Sequence, residues 1–258
     1  MSTIFSARRF GKLLSKHTID HYRNYLMSLA VLAGVMFLAT SFLLYMLPGD
    51  IDRGFQLAWF VNLLIVGGTI FTSTIFNDLG EKRKSIPVLL LPASTFEKFL
   101  VGWFFSYIVF IVAYCAIFYL LLFVLVNLKN IQGNHSAMIS IFGPGSHIYW
   151  LVFSLLHSIA IYGSLRFEKL QFIKTGFIFF IFFGVFIFFN TFVISRLFNK
   201  PVEPTFIFGP ARFLENKQQY IVKLPRDGED LLWANIVIVL VTLFIWIAAY
   251  FRFKEKQV

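Results

Sequence analysis

Six stretches of this chain contain no Asp, Glu, Lys or Arg: residues 26–47, 55–76, 99–128, 148–165, 175–194 and 231–251. Each approaches or exceeds the ~20 apolar residues a helix needs to cross a ~30 Å hydrocarbon layer. A soluble core has no use for such runs, and the composition agrees. The chain is 58% hydrophobic and 14% charged, against about 45–50% and about 25% in soluble domains. Their lengths exceed the about 9–11 residues of a barrel strand, and no period-two alternation appears. Backbone in lipid must bond within its own segment, so the runs predict six helices. The fold class expected is an all-α polytopic membrane protein. The polar lead of residues 1–25 and the long run after it predict an uncleaved first span rather than a signal peptide.

The loops fall alternately on two sides. One side holds residues 1–25, 77–98, 166–174 and 252–258, with fifteen Lys and Arg; the other holds 48–54, 129–147 and 195–230, with eight. That bias places both termini in the cytoplasm. With acids counted, the inner side carries +9 and the outer side +1. The net charge of +10 is therefore expected to be a collar facing anionic lipid, and no nucleic-acid partner is expected. The single Cys115 allows no internal disulfide.

Outside the spans, residues 4–25 read as an amphipathic helix in the interface. Ile4, Phe5, Phe10, Leu13, Leu14 and Ile19 form its apolar side; Arg8, Arg9, Lys12, Lys16 and Arg23 form its basic side. The inner loop 77–98 is far longer than a hairpin needs. It carries the cluster Glu81-Lys82-Arg83-Lys84 and then a short apolar piece containing Val88, Leu89, Leu90 and Leu91, followed by Pro92. A charged and apolar segment too short to span suits docking on a soluble partner. A helix start follows, with Ser94 or Thr95 as N-cap and Glu97 completing the pattern. The outer loop 195–230 is rich in Pro. Residues 205–208 and 219–224 have strand-like composition, which leaves a small cap or a re-entrant helix pair open.

Ionisable groups inside spans mark functional sites, and His157 is the one candidate, with Ser154, Ser158 and Tyr162 at helical spacing. Span two places Asn62, Thr69, Ser73 and Asn77 on one face, suited to a pathway or a dimer seam. His17 and His21 stand at i,i+4 but with no further ligand spacing, so no metal site is expected. No phosphate-binding glycine loop or other catalytic motif is present, so no enzyme activity is assigned to this chain.

The line from Gly80 to Trp103, GEKRKSIPVLLLPASTFEKFLVGW, together with six spans, both ends inside and a basic leader, resembles the membrane subunit of ABC-2-type exporters. Glu81–Lys84, Val88–Leu91, Pro92, Ser94 and Lys98 carry the sequence resemblance. It implies a permease with no cofactor of its own, docked by a separate ABC ATPase that holds ATP and Mg²⁺. It implies pairing as a homodimer or with a related permease. It also implies multi-pass residence in the cytoplasmic (inner) membrane of a bacterium, and a lipid-like, glycan, drug or peptide cargo. The polar outer loop 195–230 departs from the apolar re-entrant helices of that family. A non-transporting scaffold and an ion-coupled transporter or channel are the competing readings. The lack of buried charge argues against ion coupling.

Overall fold

A computed structural model of the chain describes residues 5–46, 52–76, 93–131, 137–143, 145–204, 211–215, 218–222 and 228–256. Its helices are α1 (Ala7–Met46), α2 (Arg53–Thr74), α3 (Thr95–Phe104), α4 (Phe110–Ile131), α5 (His147–Arg166), α6 (Gln171–Phe198) and α7 (Gly228–Glu255). A five-residue π-helical turn, Phe105–Val109, joins α3 to α4, and the three form one span. Among the described residues, six helices are thus long and apolar enough to cross a membrane. They coincide with the six charge-free runs, although the first begins far earlier than its run. Residues 7–46 are one unbroken helix of 40 residues, so leader and first span share a single backbone ladder. No Pro interrupts residues 7–46.

The chain divides into two compact units, one of Met1–Phe172 with Val239–Val258 and the other of Ile173–Ile238. In the first, α2 is the central helix. Asp52 caps it by accepting from the Gly54 N–H at 2.9 Å. Its buried row is Gln56, Phe60, Leu64, Gly68 and Thr72, each four residues on, the ridge spacing that interlocks two helices. That row meets α5. Trp150 stands edge-on to Phe60, and the Phe153 ring lies so close to the α2 backbone that a Cβ on Gly68 would sit 2.3 Å from it. Glycine is required there by close approach. Tyr114 of α4 joins the same core and donates its hydroxyl to the Phe60 carbonyl at 2.7 Å.

In the second unit the predicted strand composition of 219–224 appears as β2 (Gln218–Val222), paired antiparallel with β1 (Ala211–Glu215). The other predicted strand, 205–208, lies outside the described residues. Phe213 packs edge-on to Phe198 at the end of α6, and Glu203 is tied to the Arg212 carbonyl through its N–H at 3.0 Å. The 195–230 segment therefore contains a hairpin in its described part, and no re-entrant helix pair occurs among its described residues. Within α6 the phenylalanine run stacks on itself, as Phe179 does on Phe183 one turn later.

Candidate functional site

The docking candidates Glu81, Lys82, Arg83, Lys84, Val88, Leu89, Leu90 and Leu91, and with them Asn77, lie outside the described residues. The two roots of their loop are described, and they are held together. Phe76, the last residue before the loop, stacks on Phe99 just after it, with ring centroids 6.1 Å apart and planes 5° apart. Phe253 of α7 packs against both rings. Gly102 makes this approach possible, since a Cβ there would lie 2.4 Å from the Phe76 ring. Leu165 at the end of α5 and Ala249 complete the cluster, and neither is exposed to solvent. One end of the bundle is thus an aromatic plate joining α2, α3, α5 and α7, and the 77–92 segment leaves it and returns to it.

The return leg carries a carboxylate that the sequence marked only as a helix cap. Ser94 is the N-cap, and the capping box is complete: Glu97 N–H donates to Ser94 Oγ at 3.2 Å, and Ser94 N–H donates to Glu97 Oε2 at 2.9 Å. The other oxygen, Oε1, faces the leader. It accepts from the Ser6 backbone N–H at 2.8 Å and from Arg9 Nη2 at 3.2 Å. Glu97 is fully buried. A buried carboxylate persists when its lone pairs are met by donors and a cation, and here both oxygens are met. One side chain thereby ties the start of α1 to the start of α3. The sequence shows no local signal for this bond between residues 88 apart. The one available hint was the charged pair Glu97-Lys98 just ahead of an uncharged run.

His157 is fully buried, and its partners come from other helices, not from the serines flanking it in sequence. Trp246 Nε1–H of α7 donates to His157 Nδ1 at 3.2 Å. An indole nitrogen only donates, so Nδ1 carries no proton. His157 Nε2–H then donates to Ser106 Oγ at 3.0 Å, and Ser106 passes its own proton to the Trp103 carbonyl at 3.2 Å. The tautomer is assigned from these partners. Ser106 sits in the π-helical turn, a feature that recurs at functional sites. Tyr107 in the same turn donates to Ser154 Oγ at 2.6 Å, since the Ser154 hydroxyl is committed to the Trp150 carbonyl. Ser158 bonds back to Leu155, and Tyr162 is exposed. The chain of donors runs one way and ends on backbone, so the neutral ring pins α3, α5 and α7 together. Ser106 and Trp246 escaped the sequence reading because nothing there pairs them with His157.

The polar face of α2 behaves differently. Asn62 donates to the Ala58 carbonyl, Thr69 to Ile65, and Ser73 to Thr69, all within 2.8 Å. All three side chains are thus bonded to their own helix. Asn62 is exposed, Thr69 half-buried and Ser73 buried, so the face enters the protein progressively toward the loop end. Between α1 and α2 runs an apolar groove of about 390 Å³, lined by Leu32, Met36, Leu63, Gly67, Phe71 and Phe110 among others. That volume lies within the range of small-molecule sites.

At the opposite end of the bundle the sequence missed a clamp. Gln56 is buried and uses its amide as a short piece of β-ladder: Nε2 donates to the Ala137 carbonyl at 2.9 Å, and Oε1 accepts from Ile139 N–H at 3.0 Å. The Tyr119 hydroxyl accepts from Ile141 N–H at 3.1 Å, and Ile141 is buried beneath. His17 and His21 stack at 4.4 Å, with His17 Nε2 against the Tyr25 hydroxyl at 2.6 Å. Among the described residues no group of three or more His, Cys, Asp or Glu could hold a metal. Comparison with protein-family models, with curated proteins and with solved structures finds no match. The fold thus defines a helical protein with six helices of membrane-spanning character, and its function is argued from its own geometry.

Proposed function

We propose that this chain is the membrane-spanning subunit of an exporter of the ABC-2 type. It pairs with a second permease subunit, and a separate ATPase supplies the energy of MgATP hydrolysis. Both termini face the cytoplasm, where Glu81–Lys84 and Val88–Leu91 dock that ATPase. The observation that carries the reading is the pinned base of the loop. A segment that must transmit force needs a rigid footing, and Phe76, Phe99 and Phe253 supply one between the ends of α2, α3 and α7. Glu97 extends that footing to the leader. A push on the loop is then felt by four helices at once, which is how a local contact biases a two-state element. Among cargo classes, the apolar groove between α1 and α2 favours a lipid-like molecule.

A second reading has one observation in its favour. The described candidates of span two, Asn62, Thr69 and Ser73, are each bonded to their own helix, and His157 is bonded through both ring nitrogens, which suits a non-transporting scaffold. The test is MgATP hydrolysis by the complex purified from its native membrane and returned to bilayers. The permease reading expects hydrolysis that is lost on R83E/K84E while the chain stays folded. Hydrolysis unaffected by that change would sink it.

A further inference from the structure

Arg8, Lys12, Lys16 and Arg23 fall within an arc of about 80° on α1 at 100° per residue, and all four are exposed. None of them pairs with a carboxylate among the described residues. The fifth basic residue of the leader, Arg9, leaves this face for Glu97. The opposite side of the helix, centred about 180° away, carries Phe10, Leu14, His17, His21 and Tyr25. It packs inward, with His17 and Tyr25 on Phe105 and Tyr25 on Phe71. The leader therefore has a protein face and a cationic face that meets no carboxylate among the described residues.

Apolar residues interleave with those cations. Ile19 is 67% exposed and Leu26 61%, with Tyr22 beside them at 45%. Arg23 folds over the Tyr22 ring and donates from Nε to its hydroxyl at 3.0 Å. A surface made for a soluble acidic protein has no reason to hold bare Ile and Leu between its cations. A surface at the boundary of headgroups and acyl chains needs both. The one acid of the leader, Asp20, lies about 40° outside the arc at 100° per residue.

We infer that this face binds anionic phospholipid through Arg8, Lys12, Lys16 and Arg23, with Ile19 and Leu26 in the acyl boundary. Because Glu97 ties the same leader to α3, leaflet charge bears directly on the return leg of the 77–92 loop. The inference stands whether or not an ATPase docks there.

The test uses the full chain in detergent, offered phosphatidylglycerol and phosphatidylcholine in equal amounts, with retained lipid counted by native mass spectrometry. Wild type is expected to prefer phosphatidylglycerol. Each neutralised cation is expected to weaken that preference by up to about fivefold, so R8Q/K12Q/K16Q/R23Q loses it, whereas K12R/K16R keeps it. An R196Q/K200Q/R212Q variant, altered elsewhere, also keeps it. A quadruple variant that keeps the wild-type preference for phosphatidylglycerol, or no preference in wild type, overturns the inference. A nitroxide on I19C in a C115S background gives a second readout in bilayers. Oxygen access above nickel-chelate access supports the lipid face. The reverse rejects it and points to a soluble acidic partner.

Discussion

At the scale of single residues, close approach and complete hydrogen bonding decide the outcome. Gly68 is held by the Phe153 ring. Gly68→Ala is expected to lower stability by about 1–3 kcal/mol, as overpacking does, with Phe153→Leu restoring much of it. Thermal unfolding in detergent reads both. His157 is held by two helices besides its own. His157→Ala strips the partner from the partly buried Trp246 N–H and is expected to cost about 1–3 kcal/mol. In a double-mutant cycle with Trp246→Phe the two changes are expected to be non-additive, because one bond serves both. Additive effects would show that the indole and imidazole do not bear on each other. The lone in-span histidine was legible as a feature to explain. Its role was not, because Ser106 and Trp246 are 51 and 89 residues away and only the fold brings them to the ring.

At the scale of elements, the spans were legible to within a few residues at most ends because their signal is additive. Long runs without charge have one stable state in lipid. The start of α1 was not, since the change from polar leader to apolar span alters what surrounds the helix and leaves its backbone ladder intact. The capping box was also readable, because Ser94 and Glu97 are local. The use of Glu97 to anchor the leader was not, since it depends on Ser6 and Arg9. Arg9→Gln or Glu97→Gln is expected to release the leader. Backbone amide exchange over residues 6–14 should then rise while that of α4 stays unchanged, and unchanged exchange at 6–14 would show that the ion pair holds nothing. Gln56 belongs to the same class. Gln56→Leu removes two bonds to the 137–139 backbone. A cysteine replacing Ile141 in a C115S background is then expected to turn from unreactive to reactive toward a water-soluble maleimide.

For the whole molecule, the apolar excess resolves into six spans and the charge into ends and loops. The organisation places both roots of one loop, the start of the leader and the ends of four helices in a single rigid region. The six charge-free runs offer no carboxylate or amine to couple an ion gradient, and Glu97, just ahead of the third run, is committed to Ser94, Ser6 and Arg9. The account is therefore tested most directly by purifying the tagged full chain from its native membrane and identifying what comes with it. It predicts a protein carrying a GxxxxGK[ST] nucleotide-binding loop, released by Arg83→Glu and Lys84→Glu combined with Leu90→Asp while the chain itself stays folded. Retention of that ATPase by the triple variant, or its absence from the wild-type preparation, would contradict it.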